Sequence, residues 1–454
     1  MNNTYEKIVE DIEMDIKKEV YKPGKKLPSV RELSQKYNCC KNTVVKAYET
    51  LKNNHIIYSI PQSGYYIVEK LIKNEELESS TINFLSGNPT IGNMNTPDLK
   101  HCLDRAVDIY RNNSLSSNLW GIDSLKNILP KYLSDFQVFT SPNNIFVNLG
   151  IQQALSILTH MPFPNGKDLI LIEQPTYRYF IEFLRFSNAK VMGIERDENG
   201  IDLNKLEAIF KTERVKFFYT VPRNHSPLGT SYNKSQRKAI AKLAAKYDVY
   251  IVEDDYFSDI SVDNKYDPIY AYGDHHHHIY LKSFSKIIPW MRIGLIVVPS
   301  HLLEIFEQHT KLSYYYSYFS ASLISQATLE IYIRSNILKK HVNSITKELE
   351  EKQKCLKKNL SKLHKYDIKP IGGKSGFYSY LQLPDSINEN RLVNDLKKQN
   401  VLVSSGTHFY LDNSFYKNGI RLSIACASVK DINKGFEIMC SQIEKYTKNQ
   451  NALK

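Results

Sequence analysis

From Thr81 onward, short apolar runs alternate with stretches of helical spacing, and nothing else in the chain limits its fold so tightly. The runs fall at 145–149, 169–172, 190–194, 216–220, 249–253, 279–283 and 294–298. Strands this evenly apolar are buried on both faces, which means a parallel sheet with helices on each side. The expectation is an α/β fold with a mostly parallel central sheet. In such a sheet, ligand-binding and catalytic groups collect at the carboxyl ends of the strands.

Four of those ends carry residues with chemistry to offer. Gly150-Ile151-Gln152 follows one run and opens a helix. Backbone N–H groups at a helix N-terminus make an anion site. Tyr177 follows the next run and could stack on a flat ring or simply pack. Glu253-Asp254-Asp255-Tyr256 ends another. Three adjacent carboxylates repel, so a cationic partner or a metal ion is expected there. An aspartate facing a pyridine nitrogen keeps it protonated and strengthens the ring as an electron sink, and the Tyr256 hydroxyl could bond a ring oxygen. Ser283-Phe284-Ser285-Lys286 closes the run at 279–283, with Arg292 six residues on. A lysine turned inward at a strand end offers a nucleophilic amine to an aldehyde, while two serines and an arginine can hold a phosphate. Taken singly, each motif has a bland counterpart, such as a surface lysine in a serine-rich turn. Taken in order, they point to a Schiff-base lysine for pyridoxal 5′-phosphate.

In this order the set resembles the cofactor-binding residues of fold type I aminotransferases, across residues 81–446. The resemblance implies a mostly parallel large sheet and a smaller C-terminal α/β subdomain. It also implies that Gly150, Ile151 and Gln152 cradle the phosphate with Ser283, Ser285 and Arg292. Tyr177 would stack on the ring, Asp254 pair with its nitrogen, Tyr256 bond its oxygen, and Lys286 carry the cofactor. Gly419-Ile420-Arg421-Leu422-Ser423 resembles the stretch whose arginine clamps a substrate carboxylate, which makes Arg421 the clamp. A guanidinium fork suits that geometry. One departure stands out. The family's N-P-T-G is here Ser226-Pro227-Leu228-Gly229, so the asparagine that supports the ring oxygen is Ser226, with Asn224 two residues earlier as a substitute. This weighs against efficient transamination more than against cofactor binding.

Residues 1–69 read differently. Ile8, Val9, Ile12, Ile16 and Val20 line one face of a first helix. Ser29 and Glu32 make a capping box for a second helix. A third runs from about Asn42, with Val44, Ala47, Tyr48 and Leu51 on its core face, and two short strands follow around Pro61-Gln62-Ser63-Gly64. Helix, helix-turn-helix and wing form a DNA-binding layout. Between Ile16 and Lys52 there are ten Lys/Arg against three acidic residues, which fits phosphate neutralisation. The motif L-P-S-x-R-x-L-S, with T-V, A-Y-x-x-L and S-G-Y-Y-I-V after it, resembles the winged helix-turn-helix of GntR-type transcription regulators. It implies DNA contacts at Arg31, Lys41 and Thr43, with Ser29 near a phosphate and Ser63 and Gly64 at the wing tip. The usual Ser-Arg before the recognition helix is here Cys40-Lys41, and lysine lacks the bidentate grip of arginine on guanine.

Residues 70–80 read as a short polar linker. A GntR-type head joined to an aminotransferase-like body resembles the MocR subfamily of regulators. The function this implies is a homodimer on operator DNA whose body senses pyridoxal 5′-phosphate, an amino compound, or both, rather than running full turnover. A working aminotransferase with a DNA-binding head is the alternative. No apolar run approaches the about 18 residues that would span a membrane. The N-terminus has no apolar signal segment, and six cysteines in 454 residues show no disulfide spacing, so the cytoplasm is expected. The run His275 to His278 reads as a solvated loop rather than a metal site, Tyr314-Tyr315-Tyr316 with Tyr318-Phe319 as core, a pocket lining or a dimer contact, and 338–363 as a long helix.

Overall fold

The computed structural model describes residues 4–22, 24–68, 81–89, 95–112, 119–260, 266–317 and 320–451. The linker expected at 70–80 lies outside them, as do Tyr318, Phe319 and the side chains of residues 314–317. The chain divides into two compact units, Met1–Ser80 and Thr81–Lys454.

The first unit is a winged helix-turn-helix. Its helices are α1 (Thr4–Lys17), α2 (Val30–Lys36) and α3 (Lys41–Asn53). Ser29 caps α2 in a capping box: its Oγ accepts from Glu32 N at 3.2 Å, and its own N–H donates to Glu32 Oε2 at 2.5 Å. Val44, Ala47, Tyr48 and Leu51 of α3 are all buried, against Ile8, Ile12 and Leu33. The wing pairs β1 (Ile57–Ile60) with β2 (Gly64–Ile67) antiparallel.

The second unit holds an eight-stranded sheet. Its strands are β4 (Ile145–Asn148), β5 (Leu169–Gln174), β6 (Val191–Asp197), β7 (Gly200–Ile201), β8 (Val215–Thr220), β9 (Tyr250–Asp254), β10 (His278–Ser283) and β11 (Gly294–Val297), following the two-residue β3 (Ile82–Asn83). They are ordered β4-β11-β10-β9-β8-β5-β6-β7. Strands β10, β9, β8, β5 and β6 run parallel, and β11 is antiparallel to both of its neighbours. Side chains alternate between two cores: Ile170, Phe217, Tyr219 and Val252 face one, and Leu171, Phe218 and Ile251 the other. Burial on both faces is why these strands read as unbroken apolar runs. A smaller subdomain carries β12 (Lys369–Gly372), β13 (Tyr378–Gln382), β15 (Ser404–Ser405) and β16 (Gly419–Ser423) in the order β12-β13-β16-β15. The helices Ile337–Leu360 and Val429–Asn451 belong with it, and β14 (Val401–Leu402) pairs parallel with β3. Among the described residues no helix is long and apolar enough to cross a membrane.

The alternation carries through to the strand ends. On one face Glu173 of β5, Arg196 of β6 and Thr220 of β8 meet, all fully buried. Glu173 Oε1 accepts from Arg196 Nη1 at 2.5 Å, from Thr220 Oγ1 at 2.7 Å and from the Tyr232 hydroxyl. Oε2 accepts from Val221 N at 3.0 Å and lies 3.2 Å from His225 Nε2. Burial alone would push this carboxyl up; Arg196 and its other partners outweigh it and hold the group at about 2. The cluster fixes the ends of three strands and the turn from 221 to 232. Arg196→Met is therefore expected to cost about 3–5 kcal/mol in urea unfolding, because it strands a buried carboxylate. Adding Glu173→Gln should recover much of that loss, and a double variant as unstable as the single one would contradict the account.

Candidate functional site

The other face of the sheet opens into a cavity lined by Gly150, Ile151, Gln152, Tyr177, Asp254, Tyr256, Ser283, Ser285, Lys286 and Arg292. The structure thus brings together ten sequence-predicted residues from turns spread over more than a hundred positions. Asn88, Val221, Ser226 and Tyr378 complete the lining.

At one end of the cavity a helix N-terminus and a guanidinium come together, an arrangement suited to an anion. Gly150 is the N-cap of the helix Ile151–His160 at φ 71, a backbone conformation open to glycine. Its first N–H groups have no partner within the helix. Gly294 lets β11 approach this turn, since a Cβ there would stand 2.7 Å from Ile151 N. Arg292 sits at φ 52, an uncommon conformation for a residue with a side chain, and its guanidinium lies beside Gly150. Ser285 N donates to Ser283 Oγ at 3.2 Å, which closes the turn before Lys286.

At the other end is Asp254. By strand alternation it shares the face of Val252, whereas Glu253 and Asp255 point to the opposite side. The three carboxylates are thereby separated, each with its own surroundings. Asp255 takes Arg223, with Nε 2.6 Å from Oδ1, and also accepts from Tyr280 OH at 2.8 Å. Glu253 accepts from the backbone N–H groups of Ile269 and Tyr270, both at 2.8 Å, while burial and the Asp255 charge push it up to about 8. The cation expected for this run is Arg223, and it serves Asp255. Asp254 accepts from Tyr219 OH at 2.8 Å through Oδ2, and its buried Oδ1 has no partner. Burial pushes its carboxyl up to about 7, against that hydrogen bond and the charge of Lys286. A buried acceptor left open costs about 1–3 kcal/mol, so this oxygen is suited to an N–H donor that enters the cavity.

Between the two ends stand Tyr177, Tyr256 and Lys286. Tyr177 is held by Gln152, whose Nε2 donates to its hydroxyl at 3.0 Å. The Tyr256 hydroxyl donates to the Asn224 carbonyl. Asn224 itself, at φ 48, packs its side chain against Gly376 and is absent from the lining, where Ser226 stands instead. Lys286 Nζ donates to Gly87 O at 2.6 Å, Asn88 Oδ1 at 2.9 Å and Tyr378 OH at 3.3 Å. Above Tyr378, 5.1 Å from its ring centre, is the Arg421 guanidinium on β16. Arg421 is 7% exposed, donates through Nη2 to Leu85 O at 2.7 Å, and leaves Nε without a partner. Among the described residues no ion pair involves it, and burial pulls its guanidinium below the ordinary value. The residues that sequence reasoning missed are Gly87, Asn88, Tyr378 and Val221. The one available signal was Gly87-Asn88-Pro89 just after the apolar Ile82 and Phe84.

In the first unit, Arg31 and Lys41 are exposed, at the starts of α2 and α3. Thr43 Oγ1 lies 3.1 Å from Cys40 Sγ, and Ser63 Oγ lies 2.6 Å from Tyr66 OH. Gly64 opens β2 at φ 124, and Ser29 is exposed at its cap. The histidine run is the expected solvated loop only at His275 and His276, which are exposed. His277 sits between Asp274 at 2.7 Å and Asp248 at 3.1 Å, His276 stacks on His301, and His278 is buried as the first residue of β10. Among the described residues no group of three His, Cys, Asp or Glu side chains is placed to hold a metal ion.

Comparison with known proteins agrees with both halves. Residues 4–67 match the bacterial regulatory proteins of the gntR family, and residues 79–438 match aminotransferase class I and II. The HTH-type transcriptional regulator YcxD of Bacillus subtilis is 37% identical over 445 residues, covering 97% of this chain and 99% of its own. Aromatic-amino-acid aminotransferase 1 of Thermococcus litoralis is 26% identical over 339 residues, 72% of this chain and 79% of its own. In fold, the multiple substrate aminotransferase of Thermococcus profundus superposes with a TM-score of 0.73 at 23% identity, covering 84% of this chain and 97% of that one. The chain belongs to the transcriptional regulators in which a gntR-family DNA-binding head is fused to an aminotransferase class I and II domain, the arrangement of the MocR subfamily.

Proposed function

We propose that the large unit of this regulator binds pyridoxal 5′-phosphate through Lys286 and receives an amino compound that bears a carboxylate. The observation that carries this reading is a pair of unmet buried groups flanking Lys286. Among the described residues Asp254 Oδ1 has no donor, and Arg421, outside the cavity lining but over the Tyr378 ring, has no carboxylate. When bound, the cofactor supplies an aldehyde that condenses with a primary amine, releasing water, and a ring that withdraws electrons. Lys286 offers that amine. The N–H groups of Ile151 and Gln152, with Ser283, Ser285 and Arg292, take the phosphate. Tyr177 and Val221 line the slot for the ring. Asp254 accepts a hydrogen bond from the pyridinium N–H, which satisfies its open oxygen, favours its charged form and keeps the ring nitrogen protonated. Tyr256 and Ser226 serve the ring oxygen, in the place where Asn224 had been expected. Arg421 takes the ligand carboxylate as a planar fork.

In the head, Arg31, Lys41 and Thr43 contact DNA, with Ser29 at a phosphate and Ser63 and Gly64 at the wing. The protein acts in the cytoplasm as a homodimer on paired half-sites. A ligand that binds two arrangements of the large unit with different affinity shifts their balance, and DNA binding with it. Catalytic turnover is the second reading, favoured by the presence of Lys286, Asp254 and Arg421 together; Ser226 in the ring-oxygen position weighs against it.

Full-length protein mixed with pyridoxal 5′-phosphate is expected to show a visible absorbance band that borohydride fixes, and Lys286→Ala is expected to lose it. A band that survives in Lys286→Ala would remove this lysine from the site. Arg421→Ala should keep the band yet lose the spectral response to carboxylate-bearing amino acids by about tenfold or more in concentration, the scale of a charge-assisted contact. An unchanged response would free Arg421 of its role. Arg31→Ala should weaken binding to in-vitro-selected DNA by about tenfold, on the scale of one lost base or phosphate contact, while cofactor loading stays the same. Equal DNA affinity would take Arg31 off the interface.

A further inference from the structure

Lys286 and Arg421 both already have partners, and the partners come from one short segment. Leu85 O accepts from Arg421 Nη2 at 2.7 Å. Two residues on, Gly87 O accepts from Lys286 Nζ at 2.6 Å, and Asn88 Oδ1 does so at 2.9 Å. The Tyr378 hydroxyl, at 3.3 Å, is a third oxygen around the amine. A lysine ammonium has three N–H donors, and here three oxygens meet them.

The local chain is shaped for these contacts. Asn83 Oδ1 accepts from both Leu85 N and Ser86 N at 2.9 Å, which winds residues 83–86 into a tight turn. Gly87 has no Cβ; one would stand 2.3 Å from the Tyr378 hydroxyl, so only glycine brings this carbonyl to the amine. Asn88 O accepts from Ser86 Oγ at 3.1 Å and Cys426 Sγ at 3.0 Å. Upstream the segment is fixed: Ile82 N donates to Asn400 O at 2.7 Å, Phe84 N to Leu402 O at 2.9 Å, and Ser423 N to Phe84 O at 2.9 Å. Phe84 is fully buried, whereas Leu85 is 42% exposed and Asn88 is exposed. Residues 85–88 can therefore lift while 82–84 stay in place.

We infer that residues 85–88 are a built-in competitor for the ligands of this cavity, with Asn88 as the positioning residue that sets the strength of the competition. Their oxygens hold the amine that the cofactor needs and the guanidinium that a carboxylate needs. The inference rests on the reading of Lys286 as the cofactor lysine. Apparent affinity is then the intrinsic affinity reduced by the fraction of molecules in which the segment has let go. A ligand that takes both groups displaces the segment from both.

The test uses the full chain, with pyridoxal 5′-phosphate as the probe and its visible band as the readout. Asn88→Ala removes one oxygen from the amine and should tighten apparent cofactor affinity roughly fivefold, the effect of one hydrogen bond of ordinary strength. Asn88→Asp puts a carboxylate where the amide oxygen lies and should weaken it by at least as much, since charge-assisted bonds are the stronger kind. Opposite shifts in the two variants support the competitor. Two variants that load like the wild type, or that shift in the same direction, overturn it while leaving Lys286 in its role. A wild-type protein with no borohydride-sensitive band would instead sink the reading of Lys286, and the competitor with it.

Discussion

A carboxylate with no route to water, Glu173, ties together the ends of three neighbouring strands. Its partners come from β6, from β8 and from the turn that leads to Tyr232. Such a group is tolerable only when cations and donors surround it, and here Arg196 supplies the charge. Two strands away and on the opposite face, Asp254 is also buried, but its side-chain hydrogen-bond partner is the Tyr219 hydroxyl and, among the described residues, no guanidinium is paired with it. The contrast in their acidities, one held at about 2 and the other pushed to about 7, follows from that difference in partners. One face of the strand ends is finished as structure, and the other is left open for something to bind.

What binds must reach two parts of the unit at once. Asp254 and Lys286 stand on or just after strands of the large sheet, and Arg421 and Tyr378 on strands of the small one. The turn at 85–88 spans the same gap, with its carbonyls on Arg421 and Lys286. Its upstream end is hydrogen-bonded to β14 and β16, so the start of the unit is fixed to the subdomain that carries the guanidinium. On the proposed reading, a ligand bonded at both ends would replace this internal bridge with an external one.

Much of this was legible in the sequence, for reasons that can be named. The strands were visible because both of their faces are buried, and the residues that line the cavity because they follow the carboxyl ends of those strands. The capping box at Ser29 and Glu32 is purely local, so its spacing sufficed. What escaped was contact between distant segments: Lys286 meets Gly87 across 199 positions and Tyr378 across 92. The Glu173 cluster was missed likewise, since neither Arg196 nor His225 carries a motif. Asn224 was expected near the ring and lies outside the cavity because its left-handed backbone turns the side chain toward Gly376. The histidine run was read correctly at the exposed His275 and His276 but not at His277, because composition cannot show that Asp248, 29 residues away, would be beside it.

On the proposed reading, chemistry at Lys286 governs what the head does on DNA. The most direct measurement is the affinity of the full-length protein for one selected DNA fragment, taken with and without pyridoxal 5′-phosphate and a carboxylate-bearing amino acid, for the wild type and for Lys286→Ala. The account predicts that the wild-type affinity shifts several-fold and that the variant, which still binds DNA, does not respond. An equal response in both proteins would place the signal elsewhere and contradict it.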